Sequence, residues 1–271
     1  MSETASPPRI LSIAGSDPSG GAGIQADLKT FTVLGVYGAS ILTALTAQNT
    51  VGVQAVHAVP SEFVARQFDS VCSDIRIGAA KTGMLADAEL IEIVAAKVKE
   101  YDVRPLVVDP VMVAKSGDRL LARGAQESLI RHILPLAEII TPNLGEAEVL
   151  AGIPVGSLEE MREAAERMLA LGPRTVLVKG GHLEGEAVDL FYDGTDFRTF
   201  RAERIDSKNT HGTGCTLSAA ITAHLAKGRA LEEAVGEAKG FITEAIRSAP
   251  ADIGSGHGPL DHMCRLMRTE E

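Results

Sequence analysis

Short apolar runs rich in β-branched residues alternate with longer segments of helical spacing along most of this chain, and no other feature limits its fold so sharply. RILSIAG is such a run and stops at glycine. The following GGAGIQADLKTFTVLGVYG places Ile24, Leu28, Phe31 and Leu34 on one helical face. Further strands are expected in ASILTALTAQ, VQAVHAV, IGAAKTG, PLVVDPVM, AEIITPN, RTVLVKGG, AVDLFYDG and TFRAERI, each bounded by turn residues. Helices are expected in SEFVARQFDSVC, DAELIEIVAAKVKEY, AQESLIRHIL, NLGEAEVLAG, SLEEMREAAERMLALG, TGCTLSAAITAHLAKG and ALEEAVGEAKGFITEAIRS. The order implies an α/β fold: a largely parallel sheet flanked by helices, with AVDLFYDG and TFRAERI forming a late antiparallel hairpin. In such sheets ligands settle beyond the carboxyl ends of the strands, which points to VVDPVM, ITPN, LVKGG and the loop before Thr213.

Composition supports one large core. Of 271 residues, 45% are hydrophobic and only 23% charged, which excludes a disordered chain. No break in composition, repeat or linker divides it, so a short tail over residues 1–8 and one domain over residues 9–271 are expected. A net charge of −10 excludes the broad positive field that nonspecific nucleic-acid binding needs. The opening MSETASPPRI has neither the basic nor the apolar part of a signal peptide, and no apolar run approaches a membrane span. A cytoplasmic protein with no nucleic-acid or membrane partner is the expectation. Cys72, Cys215 and Cys264 are odd in number and lack CxxC spacing, so free thiols are favoured over disulfides or structural zinc.

Several stretches could carry chemistry. NTHGTGCTLSAA enters a small-residue helix through Gly212 and Gly214, where backbone N–H groups and the helix dipole favour an anion. A tight turn closing a surface hairpin is the alternative. Cys215 then lies in the first helical turn, as a small buried hydrophobe or as a thiol of lowered pKa serving as nucleophile or general base. AGSDPSGGAGIQAD lacks the GK[ST] ending of a Walker A loop and does not read GxGxxG. Its Asp27 is either a hydrogen-bond acceptor or an exposed helix residue. Asp109 in VVDP, with Asn143 and Glu146 in TPNLGE, offers oxygen ligands of the kind magnesium takes through water; Asn143 and Glu146 also have the spacing of a helix capping box. Lys179 in VKGGH ends a strand, where a cation can neutralise phosphate. His182 and His211 fit no zinc spacing and are assigned to neither metal nor catalysis.

Taken in order, AGSDPSGGAGIQADLKTF, ITPNLGEAE, LVKGGH and NTHGTGCTLSAA resemble the hydroxymethylpyrimidine/phosphomethylpyrimidine kinases of thiamin synthesis, within the ribokinase-like superfamily. The resemblance runs from about residue 9 to GHGPLDHM. It implies a three-layer α/β/α sandwich, assembled as a homodimer, that uses ATP and Mg2+ to phosphorylate 4-amino-5-hydroxymethyl-2-methylpyrimidine and then its monophosphate. It makes Cys215 the base and gives the N–H groups of Gly212, Thr213 and Gly214 to the transferring phosphoryl. Asp109 and Glu146, with Asn143 beside them, would organise Mg-ATP, Lys179 would face the phosphates, and Lys239 in EAKGF is a further nucleotide-site residue. Gly15, Asp27, Gln48, Met84 and Val111 match pyrimidine-pocket positions. The nearest rival implied by the same superfamily is a pyridoxine or pyridoxal kinase, or an enzyme of both activities. A non-catalytic pyrimidine-binding protein is the remote alternative.

Overall fold

Successive residues of a strand face opposite sides of a sheet, so a strand apolar throughout needs cover on both faces. The computed structural model describes residues 6–112, 124–181 and 185–266 and shows how that cover is supplied. Along the chain run β1 (Arg9–Ser16), α1 (Gly23–Val33), β2 (Tyr37–Gln48), β3 (Val53–Ala58), α2 (Ser61–Cys72), β4 (Ala79–Thr82), α3 (Ala88–Glu100) and β5 (Leu106–Val108). There follow α4 (Ala125–Ser128), β6 (Ile139–Ile140), α5 (Leu144–Ala151), α6 (Leu158–Leu169), β7 (Val176–Gly180), β8 (Ala187–Tyr192), β9 (Phe197–Ala202), α7 (Thr213–Ala226) and α8 (Leu231–Arg247). The strands form a nine-stranded sheet in the order β3-β2-β1-β4-β5-β6-β7-β8-β9.

From β2 through β1, β4, β5 and β6 to β7 the neighbours run parallel. The expected hairpin is present, with β8 antiparallel to both β7 and β9. A second antiparallel pair, β2 with β3, closes the opposite edge. Two apolar cores result, one on each face. Leu11, Ala80, Leu106, Val108, Ile140, Val176 and Val178 join the core beneath α2, α3, α5 and α6, whereas their strand neighbours Ile10, Ala79, Val107, Ile139 and Leu177 join the core beneath α1, α7 and α8. This is the three-layer α/β/α sandwich that the sequence led us to expect. No helix among the described residues is long and apolar enough to cross a membrane.

The segment AQESLIRHIL departs from expectation. Its α-helical turn ends at Ser128, a π turn covers Leu129–Ile133 and a 3-10 turn covers Leu134–Leu136. Pro135 supplies the reason, because it has no N–H to continue an α-helical ladder. In α7, by contrast, every residue from Thr216 to His224 is buried. Its small side chains let it lie between the sheet, α1 and α8, and its first turn thereby reaches the strand ends.

β1 sits between β2 and β4, so the chain leaves it in opposite directions on either side. Such a reversal opens a crevice at the carboxyl ends of the strands.

Candidate active site

The floor of the crevice is polar but closed off by pairing. Asp109 follows β5 and is 2% exposed; its Oδ1 accepts from Lys179 Nζ at 2.8 Å and from Thr141 Oγ1 at 3.2 Å. Glu146 lies beside this pair. Its Oε2 accepts from the backbone N of Asn143 at 2.8 Å, while Asn143 Oδ1 accepts from the backbone N of Glu146 at 2.9 Å. The capping box therefore forms, and it aims a carboxylate at the Asp109–Lys179 pair. Burial, reinforced by the charge of Asp109, pushes the Glu146 carboxyl up to about 7 against the pull of Lys179. Two carboxylates beside a lysine supply the hard oxygen donors that suit magnesium, with water and phosphate completing its shell. Among the described residues no group of three or more His, Cys, Asp or Glu side chains forms a metal cage. The hydroxyl of Thr82, at the end of β4, is buried without a hydrogen-bond partner among the described residues.

Above this floor stands the first turn of α7. Gly212 is its N-cap at φ +80°, and no side chain caps the helix. A Cβ on Gly212 would fall 1.8 Å from the carbonyl oxygen of Gly21, and one on Gly214 would fall 3.2 Å from both Asp109 Oδ2 and Lys179 Nζ. Side chains are thus excluded where the turn meets the ion pair; the Thr213 amide donates to Thr210 O at 3.4 Å, and no side chain caps the turn against an anion.

Cys215 is half-buried in this turn. The expected lowering of its pKa is overturned. Burial pushes the thiol up to about 11, and Lys81 and the N–H of Gly23 only partly oppose it, with Asp27 and Asp109 adding to the rise. A helix N-terminus is worth only about 1 kcal/mol, less than desolvating a thiolate among carboxylates.

The substrate-pocket candidates divide. Gly15 and Met84 face each other, since a Cβ on Gly15 would lie 2.6 Å from Met84 Cε. Val111 is half-buried and its N–H donates to Asp109 O at 2.8 Å. Gln48 sits at the end of β2 within 3.3 Å of His211. Asp27 is the hydrogen-bond acceptor and not the exposed helix residue, because it is 0% exposed and its oxygens accept from Ser12 Oγ at 2.5 Å and Lys81 Nζ at 3.0 Å. The register pairing Ser12 with Lys81 on β1 and β4 places both donors under α1. Burial raises the Asp27 carboxyl, while at Lys81 burial is outweighed only by Asp27, Cys215 and Asp109 together, which hold the lysine up to about 12. A buried pair of this kind is costly to split.

Lys239 is also committed elsewhere, to Asp189 Oδ2 at 2.7 Å. The same aspartate accepts from the backbone N of Gly180 at 3.1 Å and pairs in register with Lys179. On its other side Lys239 lines a cleft of about 380 Å3 between β9 and α8, with Phe200, Gly240 and Thr243. None of the glycine-turn residues lines that cleft.

Sequence reasoning missed Asp17, Lys81, Asp189 and His211. Asp17 is 2% exposed; it accepts from Ser19 N, Ser19 Oγ, Ala22 N and His211 Nε2. Burial alone would raise it, yet His211 and Ser19 outweigh burial and hold it down at about 2. The spacing SDPS, an aspartate two residues ahead of a serine, was the available signal. His182 lies outside the described residues.

Comparison with known proteins agrees with this geometry. The phosphomethylpyrimidine kinase family model matches residues 17–261. The hydroxymethylpyrimidine/phosphomethylpyrimidine kinase of Streptomyces coelicolor is 52% identical over 256 residues, covering 94% of this chain and 94% of that protein. The thiamine biosynthesis bifunctional protein of Geobacter sulfurreducens is 56% identical over 255 residues, which are 94% of this chain but 52% of that protein, so the chain spans about half its length. Among solved structures, an ADP complex of Bacillus subtilis pyridoxal kinase overlays with a TM-score of 0.90 at 41% identity, covering 97% of this chain and 100% of that one. The uncapped glycine turn, its thiol and the ion pair beneath it thus sit in a ribokinase-like sandwich, and the chain belongs to the phosphomethylpyrimidine kinase family.

Proposed function

We propose that this protein is an ATP-dependent kinase that phosphorylates the hydroxymethyl group of 4-amino-5-hydroxymethyl-2-methylpyrimidine and then the resulting monophosphate. The observation that carries the reading is the first turn of α7, free of any side-chain cap, which brings its N–H groups and the Cys215 thiol together over the Asp109–Lys179 pair. Phosphoryl transfer asks chiefly for alignment and for charge stabilisation, and that arrangement offers both.

In this reading the hydroxymethyl oxygen attacks the γ-phosphorus while the bond to the β,γ-bridging oxygen breaks and ADP leaves. The Cys215 thiolate takes the hydroxyl proton. The N–H groups of Gly212, Thr213 and Gly214 hold the phosphoryl oxygens, and Lys179 faces the phosphates. Asp109 and Glu146, with Asn143 fixing the helix that carries Glu146, would hold magnesium, which when bound neutralises phosphate charge. Gly15, Asp27, Gln48, Met84 and Val111 surround the pyrimidine, with Asp27 also paired to Lys81. Lys239 turns toward the nucleotide from the α8 side. On the family resemblance the working unit is a cytoplasmic homodimer, which sedimentation checks.

The overlay with a pyridoxal kinase favours a second reading, in which the same site phosphorylates pyridoxal or pyridoxine. Incubation with Mg-ATP and each alcohol separates the two. The pyrimidine is expected to be the better substrate by kcat/KM; a tenfold preference for pyridoxine would reverse the assignment, and no phosphorylated product from either would leave a binding protein.

A further inference from the structure

His211 has no part in the transfer described above, yet its ring is enclosed. Its side chain is 14% exposed, and its Nε2 lies 2.8 Å from Asp17 Oδ2 and 3.3 Å from Nε2 of the Gln48 amide. The other end of that amide, Oε1, lies 3.2 Å from Thr46 Oγ1, which donates to the backbone oxygen of Ser16 at 2.8 Å. A Cβ on Gly21 would stand 2.6 Å from His211 Cδ2, so the glycine makes room for the ring. The backbone N–H of His211 is held by Gly258 O at 3.1 Å.

Donor counting fixes the protons in this cluster. Asp17 is ionised, and an ionised carboxylate only accepts, so the ring nitrogen facing it carries a proton. A protonated ring nitrogen has no lone pair with which to accept an amide N–H. The two ends of a glutamine amide have nearly the same shape, and their hydrogen-bond partners decide which is oxygen. Here only one arrangement satisfies both ends: carbonyl oxygen toward His211, and amide nitrogen toward Thr46, whose own proton already goes to Ser16. The network then runs one way. The single Nε2–H of His211 goes chiefly to Asp17 at 2.8 Å and is shared with Gln48 at 3.3 Å, Gln48 donates to Thr46, and Thr46 donates to Ser16.

We infer that His211 is a specificity-determining positioning residue: its Nε2–H locks the Gln48 amide in one polarity, so that the edge turned to substrate offers one N–H and one carbonyl lone pair in fixed order. This rests on the reading that Gln48 meets the pyrimidine. A 4-aminopyrimidine presents an exocyclic N–H donor beside a ring-nitrogen acceptor, the pattern by which a glutamine amide pairs with adenine. The 4-oxo counterpart presents an acceptor beside a ring N–H donor, the reverse order. Because the hydroxymethyl group must face Cys215, the ring cannot turn over to compensate. A locked amide fits one order and rejects the other; an amide free to rotate by half a turn fits both.

The test compares kcat/KM for the 4-amino alcohol and its 4-oxo counterpart in the wild type and in His211→Phe, which keeps a ring beside Gly21 but removes the donor. The preference for the amino compound is expected to fall at least tenfold. Equal losses on both compounds, as a purely structural role would give, overturn the inference. Should the phenylalanine variant fail to fold, Asp17→Asn serves, since an amide at position 17 no longer forces a proton onto Nε2; the preference falls in the same direction, and an unchanged preference overturns the lock. The nitrogen-15 spectrum of histidine-labelled free protein gives a readout without substrate. A proton on His211 Nε2 is expected, and the Nδ1–H tautomer overturns the inference. That spectrum stands whether or not the proposed function does; the function fails instead if the wild type phosphorylates neither pyrimidine alcohol nor pyridoxine.

Discussion

Two glycine-rich turns meet in this molecule, and they are filled differently. The turn over residues 17–23 closes around its own carboxylate, because Asp17 takes the N–H groups of Ser19 and Ala22. The turn at Gly212–Cys215 has no such occupant, and no side chain caps the helix that follows. Glycine content is alike in both, so it does not mark the anion site. What marks it is the missing side-chain acceptor, together with a lysine and carboxylates pressed against the glycine backbone. The first turn acts as a brace: its Gly21 carbonyl leaves no space for a side chain at Gly212, and its aspartate grips His211 beside the second turn.

Substitutions test that contrast, beginning with the largest effect. Cys215→Ala is expected to lower kcat about a thousandfold, a normal loss for a general base, with melting temperature and pyrimidine affinity nearly unchanged; an unaltered kcat would remove the base from the account. With the wild-type thiol near 11, roughly one molecule in ten thousand carries the thiolate at pH 7. Deprotonation is gained as pH rises, so log kcat/KM should climb with near-unit slope above pH 7, while Cys215→Asp, ionised throughout that range, should show a flatter profile. Parallel profiles would point to another proton acceptor.

Gly212→Ala combines a left-handed φ with a clash against Gly21, and denaturant unfolding should show a loss of about 3 kcal/mol. Asp17→Asn should cost about 2 kcal/mol at pH 7. The aspartate's folded pKa lies below its unfolded value of 3.8, so its contribution is present above that value and is lost as pH falls through about 2. The gap between wild type and variant should therefore close toward pH 2; a constant gap would mean that shape rather than charge holds the brace. The mildest change is Gly20→Ala, also at positive φ but facing only the flexible end of Lys29. A loss of about 1 kcal/mol with unchanged kcat/KM is expected; a large fall in activity would erase the distinction between the turns.

Much of the fold was legible because it rests on local pattern. The span SEFVARQFDSVC coincides with α2, and the late hairpin was visible as two short runs around YDGTD. The π turn after Ser128 was not, since periodicity alone does not reveal where a proline interrupts the ladder. At the site, the clustering of Asp109, Glu146, Lys179 and Cys215 followed from strand ends and motifs. The pairing of Asp27 with Lys81 was not legible because the lysine lies 54 residues away and becomes a neighbour only through the pairing of β1 with β4. His211 carries no assigned role in the sequence for a similar reason, its acceptor Asp17 being 194 residues distant. The direction of the Cys215 shift depends on a sum of burial and four charged or polar neighbours, which no linear motif contains.

The central claim is that the open turn, and not the closed one, receives the transferring phosphoryl group. Amide chemical shifts of the full-length protein, followed as Mg-ADP and aluminium fluoride are added to mimic that group, test it most directly. The account predicts large shifts at Thr213, Gly214 and Cys215, with those of Ser19, Gly20 and Ala22 nearly still. Large shifts confined to the turn around Asp17 would contradict it.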